Sequence, residues 1–220
     1  MGLLNKNTSE DSGMVTDFYF PTSKKALIIF TRNPQLGKCK TRLANVIGDK
    51  EALEIYISLI KQTVNITRKV TADKFVFYVD SIQKNDFWDD ALYRKKVQTG
   101  DNLGVRMHNA FTDIFESGYQ KAVIVGCDIY SLNQDHIEEA FQKLDENDFV
   151  IGPARDGGYY LLGMKSMYNQ LFLNKQWGTS TVLKDTLQDL NSMDVHLLEE
   201  LNDIDTYDDI KNISEFKKFV

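Results

Sequence analysis

The sequence predicts one α/β domain in which helices cover both faces of a mixed, mainly parallel β-sheet. Strand-like and helix-like segments alternate from residue 25 to about residue 144, and this alternation is the pattern of βαβ units. The chain has 220 residues, which is long enough for one well-covered core. No repeat, low-complexity tract or linker interrupts the alternation. We therefore expect a single domain over residues 23–220, preceded by a flexible tail at residues 1–22.

The predicted strands are short runs of apolar and β-branched residues with polar residues at both ends. KAVIVGCD, residues 121–128, is the clearest of them because an unbroken apolar run follows its lysine. In chain order the predicted strands lie at residues 25–31, 74–80, 96–100, 121–128, 148–153, 157–164 and 194–199.

The predicted helices carry apolar residues three and four positions apart, which is the spacing of one helix face. In the segment from residue 50 to residue 70 these residues are Leu53, Tyr56, Ile57, Ile60 and Val64. The other predicted helices lie at residues 104–118, 135–147 and 179–191, with a last helix from Thr206.

Composition and charge exclude several classes of protein. The 26 basic and 32 acidic residues give a net charge of -6, which disfavours an extended nucleic-acid surface but permits a small anion site. Cys39 and Cys127 are too few for a disulfide framework, and their surroundings lack zinc-site spacing. No apolar run approaches the ~18 residues of a membrane span, and the first residues lack a signal peptide's apolar core. We expect a cytoplasmic protein that binds neither nucleic acid nor membrane.

The most informative stretch is the loop after the first predicted strand, which ends at Thr31. Sites on parallel sheets lie outside the carboxyl ends of the strands. A loop at that point, with Gly37 permitting close backbone approach, can surround a phosphate with N–H groups and cationic side chains. The alternative is a solvated basic turn, and the spacing of a Walker loop is absent. A phosphate site is favoured because the loop and the residues after it carry four cations and no acid: Arg32, Lys38, Lys40 and Arg42.

Asp128 follows the clearest buried strand, in the stretch VIVGCDIYSL. A carboxylate at that point, close to phosphates, is well placed to hold Mg²⁺ or Mn²⁺, which take oxygen ligands. The alternative is a helix cap or a turn residue. In residues 199–209, EELNDIDTYDD, either Asp203 or Asp205 is a candidate second metal ligand, although most of these acids have the character of a solvated helix cap.

A further candidate site is the stretch GPARDGGYYLLG, residues 152–163. Asp156 followed by two glycines is a sequence typical of a hairpin turn. An acceptor-binding loop is an equally good interpretation, because Arg155, Tyr159 and Tyr160 flank the turn. Trp177 could line an acceptor pocket, and the alternative is an ordinary core aromatic.

Taken together, six stretches in one order resemble a bacterial family of GT-A-like transferases, the radical-SAM/selenodomain-associated transferases, also called arsenosugar biosynthesis glycosyltransferases. The family is similar at fold level to the molybdenum cofactor and phospholactate guanylyltransferases. The resemblance covers about residues 25–210. The stretches that carry it are RNPQLGKCKTRLA, GDNLGVRM, GCDIYSL, GPARDGGYYLLG, WGTSTVL and DIDTYDD.

The resemblance implies a Rossmann-like nucleotide-diphospho-sugar transferase (GT-A) fold, in which a nucleotide lies across the carboxyl ends of the first strands. It implies that Asp128 and Asp205 hold Mg²⁺ or Mn²⁺, and that Lys40 and Asp156 join Asp128 in catalysis. The nucleotide and its phosphates would be bound by Thr31, Arg32, Lys38, Lys40, Arg42, Gly100 and Asp101. The acceptor would be bound by Asp156, Gly157, Gly158, Tyr159 and Trp177.

The sequence departs from the family pattern at two positions, one in the loop that contains Asp128 and one in the LGxRM element. Tyr130 stands where members have proline after the central strand, and Val105 stands where they often have glutamate. Neither change removes an expected ligand. We expect a metal-dependent transferase that moves a sugar from an NDP-sugar to a small acceptor. The alternatives are a nucleotidyltransferase that moves NMP from an NTP to a phosphorylated small molecule, and a nucleotide-binding protein without catalysis.

Overall fold

The computed structural model describes residues 21–219. They form a seven-stranded sheet with helices on both faces, which confirms the predicted fold class. The predicted tail, residues 1–22, lies almost wholly outside the described residues. Within residues 21–219, no helix is long and apolar enough to cross a membrane.

The sheet has the strand order β3-β2-β1-β4-β6-β5-β7. All neighbouring strands are parallel except at β6, which runs antiparallel to both β4 and β5. The chain builds outward from β1 to β3 and then crosses back to place β4 on the other side of β1, so the switch point lies between β1 and β4. The strands are β1 (Lys25–Thr31), β2 (Asp73–Tyr78), β3 (Tyr93–Val97), β4 (Lys121–Val125), β5 (Phe149–Pro153), β6 (Tyr159–Met164) and β7 (Val195–Leu197).

The predicted helices are present with shifted ends, and one helix before residue 50 was not predicted. The additional helix is α1, which follows the cationic loop. Short 3-10 helices occur at Asn169–Phe172 and Ser214–Phe219. The α-helices are α1 (Thr41–Ile47), α2 (Asp49–Thr67), α3 (Leu103–Glu116), α4 (Gln134–Lys143), α5 (Val182–Asp189) and α6 (Tyr207–Ile210).

The helices lie on opposite faces of the sheet because the central strands are apolar on both sides. Helices α2 and α4 pack on one face, through residues such as Ile60 and Phe141. Helices α3 and α5 cover the other face, where Phe111 and Ile114 of α3 are fully buried. Burial of each large apolar side chain contributes about 1.5–3 kcal/mol to the stability of the folded state. The two apolar layers therefore stabilise the positions of the strands whose ends form the site.

Strand β3 lies three residues before its predicted position at residues 96–100. Its sequence YRKKV is rich in charge, so it lacks the apolar pattern of a buried strand. Tyr93 is buried against Trp88, while Lys95 forms ion pairs with Asp86 and Asp90. At the edge of the sheet these local partners stabilise a strand that the spacing of apolar residues in the sequence does not predict.

Candidate active site

A cleft of about 560 Å³ opens at the switch point, beyond the carboxyl ends of β1 and β4. This volume is within the range of about 300–1,000 Å³ that is typical of small-molecule sites. Eight of the residues expected at the site line the cleft, and they come from separate parts of the chain. They are Thr31, Arg32, Asp101, Asp128, Asp156, Gly158, Tyr159 and Trp177.

The cationic loop is fixed at its base by hydrogen bonds. The backbone N–H of Arg32 donates to the hydroxyl of Tyr56 on α2 (2.8 Å). The buried side chain of Asn33 donates to the carbonyl of Ser81 (2.8 Å) and accepts from the backbone N–H of Asp80 (3.2 Å). The guanidinium of Arg32 is exposed and has no hydrogen bond or ion pair with another residue of 21–219. The base of the loop is therefore rigid, and this guanidinium is available to a ligand.

Lys40 is held differently from the other cations of this region. It lies immediately before α1 with left-handed backbone angles (φ 50°, ψ 49°), a conformation that is uncommon for a residue other than glycine. Its side chain is only 8% exposed, and its ammonium lies 2.6 Å from Oδ1 of Asp128. The local backbone therefore turns this lysine inward, to the end of β4.

Asp128 lies where β4 opens into the cleft, and its side chain is 50% exposed. Its carbonyl accepts a hydrogen bond from the N–H of Ile204 (2.9 Å), which ties the acidic C-terminal stretch to this loop. The neighbouring Cys127 is buried, and burial first, then the charge of Asp128, raises the pKa of its thiol to about 12. Because the thiol stays protonated at neutral pH, Cys127 is not a nucleophile here.

Three of the six acids of residues 199–209 have different surroundings. Asp205 accepts a hydrogen bond from Arg42 (2.9 Å) at the outer edge of the site and does not line the cleft. Asp209 caps α6 through the backbone N–H and hydroxyl of Thr206 (both 2.7 Å). Asp203 lines the cleft, and burial first, then the charge of Asp156, raises its pKa to about 6. Of the two acids considered as the second metal ligand, the cleft therefore contains Asp203.

The predicted acceptor loop is the tight hairpin between β5 and β6. Oδ1 of Asp156 accepts from the N–H of Gly158 (2.8 Å), and the carbonyl of Gly157 accepts from the N–H of Leu183 at the start of α5 (2.9 Å). Gly157 has φ +88°, and a β-carbon at this position would overlap the carbonyl of Ser180. The glycine is required because the hairpin packs backbone to backbone against the segment that leads into α5.

Trp177 covers the first turn of α3. A β-carbon on Gly104 would overlap the indole ring, so the ring lies directly against the helix backbone. Trp177 is partly buried in the apolar layer that contains Met107 and Leu162, and it also lines the cleft. Both interpretations of Trp177 drawn from the sequence, as a core aromatic and as a pocket residue, therefore describe parts of its environment.

Several cleft residues were not identified from the sequence. Arg106, on the first turn of α3, donates from Nε to the carbonyl of Gly100 (2.9 Å). Gln98 is buried and donates to the carbonyl of Phe77 (2.9 Å), and Asn102 caps α3 by accepting from the N–H of Val105 (3.0 Å). Gln98 and Asn102 also line the cleft. Arg106 lies in the LGxRM element, which is the only feature of the sequence that indicates a role for this residue.

Some residues expected at the site do not line the cleft. Lys38 is exposed on the turn, Arg42 points to Asp205, and Lys40 contacts Asp128 without lining the cleft itself. Gly100 lies just outside the cleft beside Asp101, and Gly157 is turned toward Ser180. Tyr130, in the position of the family proline, stacks edge-on against Phe216 with ring centroids 5.3 Å apart. Its ring therefore fixes the C-terminal 3-10 helix to the loop after β4.

Comparisons with known proteins identify the family and the fold. Residues 63–179 match the family model DUF2064, described as an uncharacterized protein conserved in bacteria. A solved structure from Desulfovibrio desulfuricans G20, named as a candidate nucleotide-diphospho-sugar transferase, is 30% identical with a TM-score of 0.78. That comparison covers 87% of this chain and 90% of the other.

Two further proteins are similar to this chain, one in sequence and one in structure. The 2-phospho-L-lactate guanylyltransferase of Methanocaldococcus jannaschii is 26% identical over 143 residues, which cover 64% of this chain. The matched region spans 61% of that relative's length. The 4-diphosphocytidyl-2C-methyl-D-erythritol synthase of Anaerococcus prevotii DSM 20548 is 10% identical with a TM-score of 0.57, over 88% of this chain and 96% of the other, and shares the fold. The resemblance to GT-A-like transferases is confirmed: the chain belongs to the DUF2064 family and has the fold of nucleotide-diphospho-sugar transferases.

Proposed function

We propose that the protein is a metal-dependent transferase that moves a sugar from a nucleotide diphosphate to a small acceptor, with residues 23–220 as its transferase domain. The observation that carries the proposal is the contact of Lys40 with Asp128, and Asp128 lines the cleft at the switch point. A cation suited to phosphate and a carboxylate suited to a divalent ion touch at the place where α/β sheets bind nucleotides.

Arg32, Lys38 and Lys40 would hold the diphosphate of the donor. Arginine offers a planar fork and lysine a point charge, and both stabilise the negative charge that grows on a diphosphate as it leaves. Arg32 and Lys38 form no ion pair with residues 21–219, whereas Lys40 must leave Asp128 to reach a phosphate. Binding of the donor therefore exchanges one ionic partner of Lys40 for another.

The carboxylates of the cleft fit a Mg²⁺ or Mn²⁺ ion. They offer hard oxygen ligands. Burial is the first cause of the raised pKa of Asp203 and the negative charge of Asp156 is the second, and a cation would offset that charge. Within residues 21–219, no three His, Cys, Asp or Glu side chains form a group able to hold a metal alone. Such an ion would be held by Asp128 with Asp203 or Asp205 as its companion, and it would supply electrostatic stabilisation of the leaving diphosphate.

The transfer itself is a displacement. An acceptor oxygen forms a bond to the sugar carbon, the bond from that carbon to the diphosphate breaks, and the nucleoside diphosphate leaves with the electron pair. Asp156, at the rim of the cleft, would take the proton of the acceptor hydroxyl. The role of the remaining residues is positioning, because a correct approach geometry alone lowers the barrier substantially.

A second candidate is transfer of NMP from an NTP to a phosphorylated small molecule. The similarity to 2-phospho-L-lactate guanylyltransferase favours it, since in that class of reaction the acceptor phosphate attacks the α-phosphorus and pyrophosphate leaves. The same residues would hold the phosphates and the ion in either reaction.

Product analysis separates the two. The protein is incubated with Mg²⁺ or Mn²⁺ and a mixture of small acceptors, once with four NTPs and once with a panel of NDP-sugars. We expect free nucleoside diphosphate from the NDP-sugars. Pyrophosphate from the NTPs would instead establish nucleotidyl transfer. Nucleotide binding without either product would indicate a nucleotide-binding protein without catalysis and would overturn the proposal.

A further inference from the structure

Gln98 is buried at the end of the cleft that adjoins β3, and only 8% of its surface is exposed. Its side-chain Nε2 donates to the carbonyl of Phe77 (2.9 Å), and its backbone N–H donates to the carbonyl of Tyr78 (2.8 Å). Because a carbonyl accepts hydrogen bonds and cannot donate them, the amide nitrogen faces Phe77 and the amide oxygen, Oε1, faces away. The orientation of this side chain is therefore fixed.

The amide oxygen of Gln98 is directed into the cleft. It accepts no hydrogen bond from residues 21–219. In that part of the chain, the enclosed side-chain atoms without a partner are the hydroxyls of Thr112, Tyr159 and Thr186, so Oε1 is open to solvent. Since Gln98 is otherwise buried and lines the cleft, the open side of Oε1 is the cleft. A ligand that reaches this point meets an oriented acceptor in a buried setting.

Apolar side chains line the same end of the cleft. The neighbouring parallel strands β1, β2 and β3 end side by side, and Phe30, Val79 and Gln98 line the cleft at or next to the three ends. Leu103, in the first turn of α3, lines it as well. Apolar walls around one oriented polar atom fit a flat ring whose edge carries hydrogen-bonding groups. A nucleobase has these properties, and the cationic loop that would hold its phosphates begins at the end of β1.

The loop from β3 to α3 is held by local hydrogen bonds. Arg106 donates from Nε to the carbonyl of Gly100 (2.9 Å), and Asn109 donates from its side chain to the carbonyl of Thr99 (2.9 Å). Both contacts fasten the loop to α3, so the pocket around Gln98 is formed before a ligand enters. Preorganisation of this kind favours the ligand whose edge matches the acceptor.

We infer that Gln98 selects the base of the nucleotide donor by accepting a hydrogen bond at Oε1 from an exocyclic amino group of that base. The inference deepens the proposed function and rests on it. It assigns nucleotides of cytosine, guanine or adenine as the donor class, and it disfavours nucleotides of uracil and hypoxanthine. A base with a carbonyl in place of the amine would set two acceptors against each other and leave Oε1 without a donor, which lowers affinity.

The test compares nucleoside diphosphates that differ at the amino group: CDP with UDP, GDP with IDP, and ADP with IDP. Their affinities for the full-length protein in Mg²⁺ are measured by calorimetry. The same titrations are made with Gln98→Met, which keeps the size of the side chain without its amide, and with Gln142→Met. Gln142→Met is the matched control because Gln142 is an exposed glutamine of α4, outside the cleft.

We expect the amino member of at least one pair to bind the parent protein about tenfold more tightly or better, and that pair identifies the base. Gln98→Met should reduce this ratio to about twofold or less by weakening the amino member, with the affinity for the carbonyl member unchanged. Gln142→Met should behave as the parent protein. Gln98→Asn keeps an amide that is too short to contact both Phe77 and a base, so it should also lower the ratio, and it serves if the methionine variant does not fold.

Three results would overturn the inference: equal binding of both members in every pair, an amino preference that survives in Gln98→Met, or equal losses of both members in that variant. The last result would show that Gln98 serves only the shape of the pocket. Product analysis with NTPs and NDP-sugars separates this inference from the proposed function. An amino preference without transfer products would contradict only the proposed function, and transfer without an amino preference would contradict only the role of Gln98.

Discussion

Two parts of the site handle charge in opposite ways. In the ion-paired wall, which we define as Lys40, Arg42, Asp128 and Asp205, each cation touches an acid (2.6 and 2.9 Å), and Asp128 is the member that lines the cleft. In the packed wall, defined as Gly104, Arg106 and Trp177, the guanidinium has no acidic partner among residues 21–219, and apolar packing holds its turn of helix. A ligand at the first wall must exchange ionic partners, whereas a ligand at the second finds free donors.

The difference between the two walls indicates which of them contributes more to the choice among ligands. Exchange of partners returns little net energy from any single contact, since each new ion pair replaces an old one. In the proposed function, phosphate and metal ion would depend on each other, because a phosphate that takes Lys40 would free the carboxylate of Asp128 for a cation. The packed wall contributes shape and one oriented charge, which are properties that can distinguish one ligand from another.

The strongest way to break the ion-paired wall is Asp128→Asn. The change keeps size and hydrogen bonding but removes the charge that would hold the divalent ion. We expect turnover to fall about a hundredfold or more, the magnitude typical of losing a charged transition-state contact. The measurement is the rate with saturating donor and Mn²⁺, with circular dichroism as the control for folding. An asparagine variant with full activity would remove Asp128 from the mechanism.

The next largest effect should come from Lys40→Met. Methionine has a similar length and suits the buried position, but it binds neither Asp128 nor a phosphate. A hydrogen bond to a charged group contributes about 1.5–3 kcal/mol, so we expect donor affinity to fall roughly tenfold to a hundredfold. Lys50→Met, on the exposed start of α2, is the matched control. Equal donor affinity in both variants would show that Lys40 serves only the fold.

The acceptor hairpin is tested by a pair of glycine substitutions. Gly157 and Gly118 both have positive φ (+88° and +92°), but only at Gly157 would a β-carbon overlap another residue, the carbonyl of Ser180. Both alanine variants carry the conformational strain of about 1–2 kcal/mol. We expect Gly157→Ala to lower the free energy of unfolding by at least about 1 kcal/mol more, and to reduce turnover. Equal losses in urea unfolding would refute the close packing of the hairpin against α5.

The smallest expected effect is a pH dependence at Asp203. Its pKa is about 6 in the folded protein against an ordinary 3.8, so between these values the folded state binds more protons than the unfolded state. Stability from this group therefore falls as pH rises from about 4 to 6, and the cost persists above pH 6. Asp203→Asn should raise the melting temperature at pH 8 with EDTA present, and this gain should vanish near pH 4.

The control for this titration is Asp194→Asn, an exposed aspartate on the far side of β5 from the cleft strands. Its melting temperature should follow the parent protein at both pH values. A gain in Asp203→Asn of the same size at pH 4 and pH 8 would contradict an ionised Asp203 buried beside Asp156.

The sequence predicted those parts of the site that depend on strand ends. Thr31 and Asp128 follow apolar runs, and parallel strands bring their carboxyl ends to one edge of the sheet, so their proximity followed from periodicity and topology. The fold class was predictable for the same reason. The cations of the first loop were visible as an unusual cluster, because no acid stands among them.

The sequence could not predict features that depend on backbone angles and tertiary contacts. The inward turn of Lys40 comes from a left-handed residue that is not glycine, for which the sequence has no signal. The entry of Asp203 into the cleft, with Asp205 outside, depends on how the chain passes the Asp128 loop. Arg106 lies on α3 between exposed Val105 and buried Met107, so only the contact with Gly100 and the open cleft distinguish it from a surface arginine.

The central claim is that phosphate and divalent ion meet at Asp128 after Lys40 exchanges partners. The most direct test is the affinity of the full-length protein for GDP, UDP, CDP and ADP, measured in Mn²⁺ and in EDTA, for the parent protein and Asp128→Asn. We expect the preferred nucleotide to bind the parent protein at least tenfold more tightly in Mn²⁺, and this gain to be lost in Asp128→Asn. A gain of unchanged size in Asp128→Asn would contradict the account.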